Sequence, residues 1–284
     1  MISLCNLSYA YRNRKDFYAI NDMTADITPG IHLLLGENGA GKTTLLHLIA
    51  GLLIPADPEQ CLVDGMAPGR RDPALMQQIF FVSDDMKFPF PTINEMVRLH
   101  APFFPAFDHE MLRRNLETFG MNGDEPIDSF SLGNRKKAIL AYALALRPAV
   151  LLLDEPANGL DITAKQLILS LMSECIDESQ TVILSTHTVA DFMQLFDSVI
   201  LLSAGRLILN MPVWEIVERL DFVTETMPPA DAVYIEQYFG RFRAIVPRRP
   251  GSPLTDIDYL LLYNGLQNVS SRHSIIKLLS QTES

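Results

Sequence analysis

The chain has 284 residues, 48% of them hydrophobic and 20% charged, with a formal net charge of −11. That is material for one large domain with an appendage or for two modest ones, and it excludes a disordered tail or a disulfide-stapled miniprotein. The acidic balance lacks the basic footprint of a nucleic-acid-binding protein, so no nucleic-acid partner is expected.

Cys5, Cys61 and Cys175 lie far apart without CxxC spacing, which offers neither a zinc site nor a disulfide framework and fits a reducing cytosol. The first twenty residues lack the apolar run of a secretory leader, so none is expected. Residues 31–35 (IHLLL) form a short apolar run ending at Gly36. A Gly-rich turn and a helical pattern over 43–50 follow, closed by Gly51. Residues 79–82 read as a strand running into Ser83-Asp84-Asp85. Between about 85 and 147 the pattern turns to phenylalanines, prolines and amphipathic helices, which predicts a helical insertion. Buried strands are predicted at 149–153 and 181–185, and 198–209 reads as an edge hairpin around a Ser-Ala-Gly turn. The alternation of strands and helices predicts an α/β fold with a parallel sheet. The longest apolar stretch, 138–153, is broken by Arg147 and Pro148 and falls short of the roughly 18 residues that cross a bilayer. Past Met211-Pro212 the signals fade, with Pro-rich breaks at 228–229 and 247–253; this sets a main domain over 1–210 and an extension over 211–284 whose role is unreadable.

Gly36-Glu37-Asn38-Gly39-Ala40-Gly41-Lys42-Thr43 matches GxxxxGK[ST] between a predicted strand and a predicted helix, the context that separates a phosphate-binding P-loop from an ordinary Gly-rich turn. Its glycines let backbone N–H groups turn inward around phosphates. Lys42 bridges the β- and γ-phosphates, the Thr43 hydroxyl ligates Mg²⁺, and Thr44 donates to the α-phosphate. The strand at 149–153 ends in Asp154-Glu155, two carboxylates at the mouth where open α/β sheets bind ligands. Asp154 would hold Mg²⁺ through water and Glu155 would orient or deprotonate the attacking water. Ser131 reads as the N-cap of a helix beginning Leu132-Gly133-Asn134.

Taken together these residues resemble the ATP-binding cassette (ABC) ATPases over about 1–210. The P-loop comes first, Ser131-Leu132-Gly133-Asn134 stands as a signature ahead of the Asp154-Glu155 strand, Asn158-Gly159-Leu160-Asp161 follows like a D-loop, and Ser185-Thr186-His187 ends the next strand like an H-loop. The resemblance implies a P-loop NTPase core with ATP and Mg²⁺ as cofactors. It also implies a second cassette as partner, a homodimer in which Ser131 and Gly133 reach the ATP held by the partner. His187 would contact the γ-phosphate, Asp161 would couple the two sites, and Tyr11 would stack on adenine, with Tyr9 as the competing aromatic. It further implies transport, export by preference, through polytopic membrane permease subunits, with the cassette on the cytoplasmic face of the membrane. A soluble non-transport ABC ATPase and a degenerate cassette that only binds ATP are the alternatives.

Two motifs depart from the family pattern. Asp84 stands where a glutamine usually meets Mg²⁺: it can ligate the metal but brings no donor and adds negative charge. Leu132 and Asn134 replace the commonest glycine and glutamine of the signature. Phe88, Phe90, Phe103, Phe104 and Phe107 carry two readings, a docking groove for a membrane subunit or the insertion's own core. Arg135-Lys136-Lys137 and Arg113-Arg114 read as solvated helix faces.

Overall fold

The computed structural model describes residues 1–13, 17–186, 195–249, 251 and 255–280. Two antiparallel strands, β1 (Ile2–Ala10) and β2 (Tyr18–Ile27), precede the first core strand, β3 (Gly30–Leu35). Helix α1 (Lys42–Ile49) follows the Gly-rich turn, and β4 (Cys61–Val63) returns to pair with β1. A short helix, α2 (Pro73–Met76), leads into β5 (Ile79–Val82). Three helices then follow: α3 (Ile93–His100), α4 (His109–Thr118) and α5 (Leu132–Ala145), the predicted insertion. Strand β6 (Val150–Asp154), helix α6 (Ile162–Cys175) and strand β7 (Thr181–Ser185) return to the sheet, which the hairpin β8 (Ser198–Ser203) and β9 (Arg206–Pro212) completes.

The central sheet runs β5-β6-β7-β3-β8-β9, parallel except for β9 at its edge. Its inner strands are apolar throughout because both faces are covered. Leu33, Leu151, Leu153, Val182, Leu184, Val199 and Leu201 enter one core with the insertion. Their alternates Leu34, Val150, Leu152, Ile183, Ile200 and Leu202 enter a second with α1 and the β2-β1-β4 sheet. The predicted α/β class and the strands at 31–35, 79–82, 149–153, 181–185 and 198–209 are all present, with β6 reaching Asp154 and β9 reaching Pro212. No helix among the described residues is long and apolar enough to cross a membrane.

Beyond Pro212 the chain forms α7 (Val213–Arg219), β10 (Leu220–Glu225), β11 (Tyr234–Tyr238), β12 (Arg241–Pro247), α8 (Tyr259–Gln267) and α9 (Val269–Leu279), with the strands in a sheet ordered β10-β12-β11. Ile216, Leu220, Ile245, Tyr259, Leu262, Leu266 and Ile275 join the same buried cluster as Leu33 and Val199, so the C-terminal region shares the core of the main sheet. The Tyr259 ring meets Phe196 edge-on at 5.8 Å.

The insertion is held to the sheet by an aromatic cluster. Tyr142 of α5 is fully buried, shares a 2.8 Å hydrogen bond with His100 Nδ1, and packs its ring 6.3 Å from Phe80 of β5 and 5.9 Å from Phe107. Burial pushes the Tyr142 phenol well above its ordinary range and holds the His100 imidazole below its own, which favours the neutral form of each. Phe104 is buried, and Phe88, Phe90 and Phe107 pack against the same core, which leaves Phe103, 61% exposed, as the one phenylalanine of the five facing outward. The insertion's own core is therefore the reading the structure supports for the other four. Tyr142→Ala is expected to lower the unfolding free energy by about 3–5 kcal/mol and Tyr142→Phe by about 1 kcal/mol, as measured by urea denaturation. Equal small losses in both would show that the cluster does not anchor the insertion.

Candidate functional site

The P-loop takes its shape from close backbone approaches on both sides. A Cβ on Gly41, at φ 106°, would lie 2.5 Å from the Ala19 carbonyl of β2, and one on Gly36 would lie 2.7 Å from the Leu202 carbonyl of β8. Only glycine fits at either place. The loop is pinned further by Gly205 N–H donating to the Ala40 carbonyl at 3.1 Å, and the Ala40 N–H donates to Glu37 O at 3.0 Å. Lys42, at the start of α1, donates to the carbonyls of Gly36 at 2.7 Å and Glu37 at 3.2 Å, curling back over the loop. Burial lowers its pKa, while Glu155, Asp154 and Glu37 act in the opposite direction.

The carboxylates arrive by strand register. β6 and β7 pair in parallel so that Asp154 stands opposite Ser185. Ser185 Oγ donates to Asp154 Oδ1, and Thr43 Oγ1, on the second residue of α1, donates to Asp154 Oδ2 at 2.6 Å. A carboxylate only 7% exposed thus keeps a hydroxyl donor on each oxygen. Glu155 follows with φ at +51°, a left-handed conformation uncommon for this residue type, and its N–H donates to the Ser185 carbonyl at 3.0 Å. The turn points the side chain out of the sheet's mouth into a cleft of about 430 Å³. Tyr11, Phe17, Asn38, Gly39, Gly41, Lys42, Thr43, Thr44, Asp84, Asp154 and Glu155 line this cleft together.

Tyr11 shares a 3.0 Å hydrogen bond with Thr44 Oγ1 and meets Tyr9 edge-on at 5.1 Å; Tyr11, not Tyr9, lines the cleft. Asp84 is at the cleft but its carboxylate is engaged: Lys136 Nζ donates to Oδ1 and Asn158 Nδ2 donates to Oδ2 at 3.1 Å. The signature stands apart from the cleft lining. Ser131 caps α5, its Oγ accepting from Asn134 N–H at 3.2 Å, and Leu132 is 68% exposed. A Cβ on Gly133 would touch Leu160 Cδ2 at 3.2 Å, which ties the signature to the loop after β6. Asp161 caps α6, accepting from Ala164 N–H at 2.8 Å. His187 lies outside the described residues.

Lys136 departs from the solvated face expected of it: its side chain is 11% exposed and also donates to the Asn158 carbonyl at 2.7 Å. Arg113 does sit on a solvated face, paired with Glu110 and Glu117. Ser185 and Phe17 are further contributors that the sequence reading assigned no role. Ser185 was legible as the hydroxyl ending a buried strand; Phe17 precedes β2 in a stretch without a readable pattern.

A Gly-rich loop opening a helix, a lysine over it, and a hydroxyl–carboxylate pair at the mouth of a parallel sheet make this a nucleotide-binding cleft of the P-loop class. A family model, ABC transporter, matches residues 20–158. The chain is 31% identical over 217 residues to the ABC transporter ATP-binding protein NatA of Bacillus subtilis (strain 168), covering 73% of this chain and 88% of that protein. It is 27% identical over 245 residues to the energy-coupling factor transporter ATP-binding protein EcfA2 of Streptococcus thermophilus, covering 79% of this chain and 85% of that one. A dimeric ATP-binding cassette in a post-hydrolysis state, bound to ADP and Pi, superposes with a TM-score of 0.62 at 24% identity, covering 75% of this chain and 98% of its own. The chain belongs to the ATP-binding proteins of ABC transporters and is an ABC ATPase.

The Ser185 hydroxyl fixes Asp154 and stands beside the Glu155 amide, so Ser185→Ala should lower ATP turnover or Mg²⁺ affinity by about tenfold while the fold is retained. Phosphate release measured across a magnesium titration checks this; an unchanged profile would show that Thr43 alone suffices to hold Asp154.

Proposed function

We propose that the chain powers a transporter by hydrolysing ATP between two cassettes while separate polytopic membrane subunits carry the substrate. The observation that carries this reading is an incomplete site. Ser131 and Gly133, at the start of the fourteen-residue helix α5, lie outside the cleft lining, with Leu132 projecting to solvent beside them. A second copy placed head to tail would bring its Ser131 hydroxyl, Gly133 amide and the positive end of α5 onto the γ-phosphate.

Within the cleft the chain's residues divide the work. Lys42 leaves its loop carbonyls for the phosphates, Tyr11 offers its ring to the base, and Glu155 orients the attacking water and takes its proton. Thr43 Oγ1 and Asp154 form a hard-oxygen donor set suited to Mg²⁺, which keeps several waters and phosphate oxygens as its other ligands. When bound, the ion would neutralise charge on the β- and γ-phosphates. His187 and Asp161 complete the proposal as the γ-phosphate contact and the link between sites.

Residues 211–284 are taken as an extension of the cassette spanning 1–210, supported by their shared core. Transport is favoured over a soluble assembly factor by the relatives, which are transporter proteins by name. Export, toward which the sequence leans, draws no support from those names, so the proposal is transport without a stated direction. The cytoplasmic face of the membrane is the expected location, with a permease as the anchor.

Glu155→Gln with ATP should convert the chain to a dimer in size-exclusion chromatography, and Ser131→Arg in the same background should return it to monomer. Capture of the Glu155→Gln dimer from detergent-solubilised membranes should bring a stoichiometric polytopic protein. A soluble partner alone would replace the transporter reading with an assembly-factor one.

A further inference from the structure

The cleft must accept a polyphosphate, yet Asp84 adds a third carboxylate to Asp154 and Glu155 along its wall. The position of Lys136 answers this. Its ammonium, on the first turns of α5, donates to Asp84 Oδ1 and to the Asn158 carbonyl, while Asn158 Nδ2 donates to Asp84 Oδ2. The three contacts close a triangle joining the turn after β5, the signature helix and the loop after β6. Asp84 and Lys136 also line a second cavity of about 370 Å³, with Met86, Phe88, Leu132 and Ile139, whose lining includes no P-loop residue. Asp84 therefore borders both spaces, while Lys136 borders the second. The side chain of Lys136 is 11% exposed and that of Asp84 is 44% exposed, so the cation is the sheltered member and the aspartate reaches toward the cleft.

We infer that Lys136 is a positioning residue for nucleotide binding: it fixes the Asp84 carboxylate and cancels its charge where the phosphates enter. Asp84 then presents to ATP a held, neutralised pair in place of a bare anion. A lysine on the signature helix thereby couples the charge of the cleft to the helix that a second cassette would read. The inference rests on ATP binding at the P-loop cleft and is independent of what the transporter carries.

A mutant cycle on the full-length chain tests it, with a fluorescent non-hydrolysable ATP analogue titrated in magnesium and again in EDTA. Lys136→Met keeps the apolar stem and removes the charge. It should weaken binding by about tenfold in magnesium and by more in EDTA, because metal-free ATP carries more negative charge past an Asp84 that has lost the Lys136 cation. Measured in EDTA, where no metal occupies the cleft, Asp84→Asn should bind at least as tightly as wild type, and Asp84→Asn combined with Lys136→Met should recover the affinity that Lys136→Met loses, since no carboxylate then needs covering. A structural role alone would lower the melting temperature without this rescue. Lys136→Gln, which can still donate to the Asn158 carbonyl, serves the same comparison if Lys136→Met does not fold. Unchanged affinity in Lys136→Met, or a double variant as weak as Lys136→Met, overturns the inference. Absence of binding by the wild type would overturn the nucleotide reading of the cleft and this inference with it.

Discussion

Everything in this structure that bears on function depends on keeping negative charge in order around a small space that has to admit more of it. Asp154 and Lys42 are 7% and 9% exposed, at a depth where charge interactions are stronger than in water and an unsolvated ion is costly. Among the described residues no ion pair answers Asp154. The chain gives the carboxylate two hydroxyl donors, Thr43 and Ser185, which solvate the charge without cancelling it. A hydroxyl can rotate and change partner, so Thr43 can pass from its carboxylate to a metal ion without leaving a buried cation behind. Lys42 is held by two carbonyls of its own loop, an arrangement that a phosphate oxygen can replace donor for donor.

The second constraint is steric and comes from outside the motif. Gly36 and Gly41 are required because β2 and β8 press against the loop, not because the loop bends freely. The small antiparallel sheet and the β8–β9 turn act as a mould, and Asn21 N–H donating to the Gly205 carbonyl at 2.8 Å clamps the two sides of the mould together. The N-terminal strands thus position the phosphate cradle although they contribute few residues that face the nucleotide.

Legibility in the sequence followed the physics of each element. The inner strands announce themselves because burial on both faces makes them continuous apolar runs, the P-loop and Asp154-Glu155 stand at the ends of such runs, and the Ser131 cap opens a helix. Strands β1 and β2 do not announce themselves, because register shifts between Leu4 and Leu7, Leu7 and Tyr9, and Tyr9 and Ala10 break the alternation by which a half-buried strand is read. In the C-terminal sheet β11 is mostly exposed, so YIEQY carries no apolar face to find. Lys136 reads as solvated from the sequence because its partners Asp84 and Asn158 lie 52 and 22 residues away, on segments that only the fold brings together. A lysine in a basic run gives no local sign of a distant carboxylate.

The two helix caps at the exposed face show how the same residues serve the fold and remain available to a partner. Ser131 spends a lone pair on the Asn134 N–H, which leaves its own O–H proton to donate to an incoming anion. Capping and phosphate contact are therefore compatible on one hydroxyl. Asp161 has no such proton: it accepts from Ala164 N–H and can only accept again, so anything it meets across an interface must be a donor and not a phosphate. Beside them Leu132 and Ile162, 68% and 71% exposed, place apolar surface at the first position of each helix. A face with one anion donor, one acceptor and two uncovered apolar side chains is asymmetric in its chemistry, and the proposed head-to-tail pairing would let each element meet a different counterpart: Ser131 a phosphate, Asp161 a backbone or side-chain donor, and the two apolar residues a dry margin that would keep water out between them.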